Sequence, residues 1–198
     1  MSEKNIEIIK DYLSQVSSSL GNLPVDKIIE VIEVLNKVCV NNKKVLIFGN
    51  GGSAATASHF ASDLSKGAIC EDKPRFKALA LCDNTPLLSA WANDTDYGNI
   101  FSEQLENFAD PGDVAIAISG SGNSMNILNG IKTARAKGAT TVGFIGFDGG
   151  KLKHIVDIPV VVPNHNMEQV EDIHLMLEHI ITTCLRLGTG DWGLEIRD

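Results

Sequence analysis

The fold is decided by the stretch Val45-Leu46-Ile47-Phe48-Gly49-Asn50-Gly51-Gly52-Ser53-Ala54-Ala55. Its first four residues form a short apolar run that ends at glycine, which predicts a buried β-strand. The glycines that follow let the backbone turn sharply and come close to a ligand. Ser53 suits the N-cap of a helix of small residues, and such a helix start presents free N–H groups and positive potential. The stretch therefore predicts a strand, an anion-binding loop and a helix, and phosphate is the usual anion.

The helix predicted after this loop carries His59 and Asp63, four residues apart. That spacing places an imidazole and a carboxylate on one helix face. Each feature also has a plain structural explanation, namely a solvated helix face for the pair and a turn without a ligand for the glycines. The loop matches neither GxxxxGK[ST] nor the dinucleotide GxGxxG motif, so nucleotide binding is not indicated.

A second apolar run ends in a similar loop, Ser119-Gly120-Ser121-Gly122-Asn123-Ser124. Its three serine hydroxyls can donate hydrogen bonds, and a helix that starts near Asn123 or Ser124 supplies N–H groups. A capped turn without a ligand is the alternative. Two such loops in one parallel sheet favour a ligand, because ligands bind beyond the carboxyl ends of strands where the strand order reverses.

Strands and helices alternate along the rest of the chain. Short apolar runs predict strands at 45–48, 76–81, 114–119, 141–145 and 158–162. Helices are predicted at 86–91, 100–108, 123–136, 151–155 and 167–187, and two amphipathic helices precede the first strand. This alternation indicates an α/β fold in three layers, a five-stranded parallel sheet between two layers of helices, with extra N-terminal helices.

A single domain is expected over residues 1–198, because no linker, repeat or low-complexity tract interrupts the pattern. Residues 1–43 would form the helical pair, 44–187 the α/β core and 188–198 a poorly fixed tail. The first helix carries an apolar stripe at Ile6, Ile9, Leu13, Val16 and Leu20. The sheet, another subunit or both must cover this stripe, and its surplus favours an interface between subunits.

Composition excludes several classes of protein. The 198 residues are 43% hydrophobic and 21% charged, as in an ordinary soluble globular protein. The net charge of -8 gives no general electrostatic reason to bind nucleic acid. No apolar run has the length of a membrane span, the first residues do not form a signal peptide, and the four cysteines lack CxxC spacing. We therefore expect a cytoplasmic protein without a membrane or nucleic-acid partner.

The last helix is rich in groups that could do chemistry, namely Glu168, Glu171, Asp172, His174, Glu178 and His179. Acids in the first turn suit the helix dipole. His174 and Glu178 are predicted to be an ordinary structural pair at i,i+4. Glu171 and His179 are eight residues apart, about 12 Å of rise and about 80° of rotation. They can share a ligand only if both side chains stretch, or if two copies of the helix contribute.

Four motifs together resemble the sugar isomerase (SIS) domain family: GNGGSA followed by HF, AISGSGNS, GFDGGKL and VEDIHLMLEHI. The similarity runs along nearly the whole chain and is greatest to the branch that acts on seven-carbon sugar phosphates. It implies a flavodoxin-like SIS fold and the interconversion of sedoheptulose 7-phosphate and D-glycero-D-manno-heptose 7-phosphate, an early step toward bacterial heptose glycans. It also implies a homotetramer, and the spacing of Glu171 and His179 suggests active sites shared between subunits.

The resemblance also assigns roles to individual residues. It implies that Asp63 and His179 are the acid/base catalysts. It implies one zinc ion per site, held by His59, Asp63, Glu171 and His179. Together with the loop chemistry, it gives the expected contacts to the sugar phosphate: Asn50, Gly51, Gly52, Ser53, Asp94, Ser119, Gly120, Ser121, Ser124 and Glu171.

Three positions depart from the family pattern. Asp63 stands where the family has Glu, Glu171 where it has Gln, and Gly120 where it has Thr. These departures leave open a relative that acts on a different sugar phosphate. Because SIS proteins also serve as regulatory modules, two non-catalytic alternatives stay open as well: a regulatory SIS protein that binds a sugar phosphate or a replication initiator, and a sugar-phosphate sensor. His59, Asp63 and His179 are all present, which favours catalysis.

Overall fold

The computed structural model describes residues 3–71 and 73–188 and contains a five-stranded parallel sheet. The strand order is β2-β1-β3-β4-β5, and every neighbouring pair is parallel. The strands are β1 Lys44–Gly49, β2 Lys77–Ala80, β3 Val114–Ser119, β4 Thr140–Ile145 and β5 Ile158–Val161. The order reverses between β1 and β3, so the loops after these two strands border the crevice where such sheets bind ligands.

Seven α-helices accompany the sheet within these described residues: α1 Glu3–Leu20, α2 Val25–Val40, α3 Gly52–Ser62, α4 Thr85–Asp94, α5 Ser102–Phe108, α6 Met125–Ala136 and α7 Met167–Leu187. A π-helical turn, Asp63–Gly67, continues α3. Short 3-10 turns occupy Tyr97–Asn99 and Leu152–His154. The predicted bounds of the last helix are confirmed, whereas the predicted helix at 151–155 is only the second of these short turns.

The core lies on both faces of the sheet, which confirms the three-layer α/β/α fold. Along the fully buried strand β3, Val114, Ile116 and Ile118 pack toward α2, α3 and α7. The alternating residues Ala115 and Ala117 pack toward α5 and α6. A strand buried on both faces needs an unbroken apolar run, and that pattern made β3 recognisable in the sequence.

Ser53 is not the N-cap of α3, contrary to the prediction. The helix begins two residues earlier than that cap predicts, at Gly52, and Gly51 is its N-cap with φ +55°. A glycine adopts that left-handed backbone without steric cost, whereas serine does not. Ser53 is instead buried in the first turn. At the second loop, Ser124 is the N-cap of α6, as one of the two predicted alternatives.

The N-terminal helices are covered unequally. Val31 and Leu35 of α2 are fully buried against the core. Helix α1 is attached to α7, where the Tyr12 hydroxyl donates to the Asp172 carboxylate at 2.6 Å. The first half of the predicted stripe on α1 remains exposed, with Leu13 at 63%.

Across residues 3–71 and 73–188, no helix is both long enough and apolar enough to cross a membrane. The predicted tail lies, apart from Gly188, outside the described residues.

Candidate active site

A cavity of about 260 Å³ lies at the carboxyl ends of β1 and β3. Its lining comes from both loops and the start of α7: Asn50, Gly51, Gly52, Ser53, Ile118, Ser119, Gly120, Ser121, Ser124, Met167 and Glu171. Every predicted contact to the sugar phosphate is in this set except Asp94. That residue ends α4, where its carboxylate accepts a hydrogen bond from Asn93, and it does not line the cavity.

Three helices begin at this cavity. The lining includes first-turn or N-cap residues of α3, α6 and α7. Helix N-termini carry unpaired N–H groups and positive potential, and together they attract a phosphate group. No lysine or arginine is among the lining residues just given, so the binding of an anion would rest on backbone N–H groups and hydroxyls.

Side-chain amides fasten the first loop to the start of α6. Asn50 and Asn126 exchange two hydrogen bonds, Nδ2 to Oδ1, at 3.0 and 2.8 Å. Within the second loop, the Ser119 hydroxyl accepts from the Gly122 N–H at 3.1 Å. Asn123 donates to the Ser121 carbonyl and accepts from the Lys151 N–H. Hydrogen bonds within the chain therefore fix the shape of the two loops that line the cavity, which we call the cradle, as a preorganised binding site requires.

Gly52 allows α7 to approach the start of α3. A Cβ atom at this position would overlap the Glu171 carboxylate, so any other residue would force the end of that side chain to move. The contact places the one charged lining residue of the cavity at the N-terminus of α3, where negative charge is favourable.

Helices α3 and α7 run side by side in the same direction. Gly52 meets Glu171 at their beginnings, and further along both helices His59 and Asp63 meet Glu178 and His179. The rise of an α-helix places this second group about 9 to 12 Å beyond the cavity. The two helices therefore connect the cavity to a group of imidazoles and carboxylates.

The second group is compact. His59 Nε2 lies 3.3 Å from His179 Nε2, and the Asp63 oxygens lie 3.9 Å from the former and 3.7 Å from the latter. A Glu178 oxygen lies 3.5 Å from His59 Nδ1 and 3.8 Å from His179 Nε2. Asp63 begins the π-helical turn, and such turns are frequent at functional sites.

Exposure differs sharply within the group. His59 and His179 are 45% and 49% exposed, whereas Glu178 is 0% exposed. Neither Glu178 oxygen has a hydrogen-bond partner among the described residues. Burial, followed by the charge of Asp63, raises the pKa of Glu178 to about 8. The group thus has two histidines open to a substrate and one carboxylate enclosed behind them.

These four residues fit a metal ion. Each offers one ligand atom, and the four atoms lie within 4.8 Å of one another. Two imidazoles with two carboxylates suit zinc, and a cation here would give the buried carboxyl group of Glu178 a partner. Three of the four predicted ligands are brought together here. The fourth, Glu171, lies at the cavity instead, and Glu178 is in the group.

Glu178 was missed in the sequence because its spacing from His174 gave it an ordinary partner. In the structure, His174 is fully buried near the Phe144 ring, and burial lowers its pKa to about 4. Glu178 lies on the inner face of α7, between the buried residues Leu177 and Ile181. A carboxylate on the inner face of a helix is rare without a partner, and that feature could have identified it.

The class of protein follows from this fold and site. Residues 9–146 match the sequence profile of the SIS domain. The match covers more than half of the 198 residues, and the chain therefore belongs to the SIS domain family. This confirms the resemblance found in the motifs.

Within that family, the chain resembles the phosphoheptose isomerases. It is 42% identical to the phosphoheptose isomerase of Sulfurimonas denitrificans over 160 residues, 79% of this chain and 82% of the relative. It is 42% identical to the one from Clostridium acetobutylicum over 182 residues, 90% and 86% of the two chains. The solved phosphoheptose isomerase GmhA from Neisseria gonorrhoeae matches with a TM-score of 0.82 at 28% identity, covering 92% and 98%. The chain is an isomerase of this branch, which favours catalysis over the non-catalytic alternatives.

Proposed function

We propose that the protein interconverts D-sedoheptulose 7-phosphate and D-glycero-D-manno-heptose 7-phosphate through an enediol(ate). The observation that carries the proposal is the pairing of α3 with α7, which has an anion cavity at one end and an acid/base group about 9 to 12 Å away. An open-chain sugar with phosphate at one end and its reacting carbons at the other suits such a separation. The direct test is turnover of sedoheptulose 7-phosphate by the purified protein, with and without zinc.

Asp63 and His179 are proposed to move the protons. In the direction from ketose to aldose, an Asp63 oxygen takes a proton from C1 while the His179 imidazole gives one to O2 through the ring nitrogen that does not hold the metal, which produces the enediol. His179 then takes the proton from O1, and Asp63 returns its proton to C2. The sugar neither gains nor loses protons overall. The 3.7 Å between Asp63 Oδ2 and His179 Nε2 allows both groups to reach two adjacent carbons.

Zinc is part of the proposal, one ion per site. His59, Asp63, His179 and one further carboxylate would hold it. When bound, it supplies a Lewis acid that stabilises negative charge on the C1 and C2 oxygens. The phosphate is held far from these atoms, and that remote binding energy serves to position the open-chain sugar.

Removal of the cradle hydroxyls is expected to weaken phosphate binding. Ser121→Ala and Ser124→Ala should each raise the Kd for the sugar phosphate about 10-fold, because a hydrogen bond to a charged group is lost. Calorimetric titration with the sugar phosphate and competition by inorganic phosphate measure this. Ser102→Ala, on α5, is the matched control and should leave the Kd unchanged. Unaltered affinity in both cradle variants would refute the assignment of the cavity to phosphate.

The proposed assembly is a homotetramer, in which the helical pair at 1–43 contributes to the contacts. Ile6, Ile9 and Leu13 form an exposed apolar stripe on α1, and such a stripe is typical of an interface. The spacing of Glu171 and His179 no longer argues for shared active sites. In the structure, each of these residues reaches its own part of the site within a single chain.

A charge in the exposed stripe is expected to break the assembly. Leu13→Glu would bury a carboxylate between subunits, which costs far more than a solvent-exposed one. Sedimentation velocity should then give a smaller species than the wild type. Ser18→Glu, exposed on the other side of the same helix, is the control and should sediment as the wild type does. A wild-type monomer at all concentrations would exclude the interface.

A further inference from the structure

The buried carboxylate of Glu178 is the least explained polar group near the site. It is 0% exposed, and neither of its oxygens accepts a hydrogen bond from any described residue. Burying an ionised carboxylate without a partner is costly, and proteins usually pair such groups or use them to bind metals. The side chain lies behind the two histidines, away from the cavity that contains Glu171.

The described groups that surround Glu178 provide neither a good hydrogen bond nor an ion pair with lysine or arginine for its carboxylate. Its nearest nitrogens are His59 Nδ1 at 3.5 Å and His179 Nε2 at 3.8 Å, both longer than a good hydrogen bond. No lysine or arginine forms an ion pair with it in the part of the chain that the structure describes. Asp63 and Glu178 each have an oxygen within 3.8 Å of His179 Nε2, which brings two carboxylates close together. A cation between these groups would resolve both the missing partner and the repulsion.

The spacing of the group matches a tetrahedral ion. Zinc bonds of about 2.0–2.1 Å place tetrahedral ligand atoms about 3.3–3.4 Å apart. The two histidine Nε2 atoms are 3.3 Å apart, and the distances from His179 Nε2 to the two carboxylates are 3.7 and 3.8 Å. His59 faces Glu178 through Nδ1 and the other two ligands through Nε2, and a bound ion would draw together ligand atoms that lie within 4.8 Å of one another. Four ligand atoms from α3, its π-helical continuation and α7 thus suffice without a second subunit.

We propose that Glu178 is the fourth zinc ligand in this protein, in the role that the family resemblance gave to Glu171. Glu171 then belongs to the sugar-phosphate cavity, where its carboxylate lies against Gly52. The inference rests on the proposed function, because it concerns the metal of that same site. Under this proposal, two acidic residues of α7 have different roles: Glu171 lies near the start of α3 and contacts the sugar phosphate, whereas Glu178 lies near the end of α3 and binds zinc.

The affinity for zinc should depend on Glu178 and not on Glu171, and this difference tests the proposal. The Kd for zinc is measured by competition with a chromophoric chelator for the full-length wild type, Glu178→Gln, Glu178→Leu and Glu171→Gln. We expect the Glu178 variants to bind zinc at least about 100-fold more weakly, beyond the range typical of groups that only orient a ligand. Glu171→Gln and the exposed control Glu168→Gln should stay within about 3-fold of the wild type. Tight binding by the Glu178 variants with loss in Glu171→Gln would overturn the proposal.

A second readout does not depend on activity or on tight binding. In metal-free protein, Glu178→Leu should keep the Tm at or above that of the wild type, because neither Glu178 oxygen has a hydrogen-bond partner to lose. With zinc in excess, the same variant should melt below the wild type. A purely structural glutamate would lower the Tm in both states, and that result would contradict the proposal.

Failure of this inference can be told apart from failure of the zinc proposal. If the wild type binds one zinc ion per chain and Glu178→Gln binds it equally well, only the role of Glu178 is wrong. If the wild type binds no zinc yet isomerises the sugar phosphate, the metal and the role of Glu178 both fail while the isomerase function stands.

Discussion

Replacement of Asp63 by asparagine is expected to lower kcat by about 10²–10⁴-fold, the usual range for loss of a general acid or base. The amide keeps the shape of the carboxylate but cannot take a proton from the sugar. His179→Gln should cause a loss of similar size, because the two side chains act 3.7 Å apart on the same pair of carbons. Steady-state kinetics with sedoheptulose 7-phosphate measures both losses.

Two controls make the result specific. Asp26→Asn, an exposed acid in the first turn of α2, should retain the wild-type kcat. The Kd for the sugar phosphate should change little in Asp63→Asn, because the anion cavity lies at the other end of the helix pair. Because Asp63 is also a proposed zinc ligand, kcat is compared at saturating zinc. A variant that retains more than about a tenth of the wild-type kcat would exclude Asp63 as the base.

Removal of zinc is expected to reduce activity at least about 100-fold, and stoichiometric zinc should restore it. The structural reason is the group formed by His59, Asp63, Glu178 and His179, whose ligand atoms lie within 4.8 Å of one another. Magnesium should not restore activity, because it prefers oxygen ligands in octahedral geometry over imidazole nitrogen. The same dialysis without chelator is the control. Full activity in protein shown by elemental analysis to be metal-free would refute the role of zinc.

Much of the fold could be predicted from local patterns. The apolar runs that become β1 and β3 are unbroken, because each strand is covered on both faces. The glycine- and serine-rich loops that follow them meet in one cavity because the carboxyl ends of parallel strands share an edge of the sheet. The pairing of His59 with Asp63 needed only helical spacing, and the structure places them 3.9 Å apart.

The assignment of Glu171 and Glu178 could not be predicted in the same way. Helical spacing relates residues on one helix, but it does not say which neighbour each of them meets. That depends on how α3 lies along α7, and in the structure Glu171 lies beside Gly52 at the start of α3. With this register, Glu178 rather than Glu171 reaches His59. The prediction that Ser53 is the N-cap was wrong for a more local reason. The positive φ of Gly51 allows the helix to begin earlier.

The central claim is that this protein isomerises a heptose phosphate, and NMR spectroscopy in D₂O tests it most directly. Purified zinc-loaded protein is incubated with sedoheptulose 7-phosphate and, separately, with unphosphorylated sedoheptulose. We predict conversion of the phosphate to the aldose, with deuterium at C2 in the fraction of turnovers in which the proton on Asp63 exchanges with solvent, and much slower conversion of the free sugar. Binding of sedoheptulose 7-phosphate without any conversion, in protein that contains one zinc ion per chain, would contradict the account.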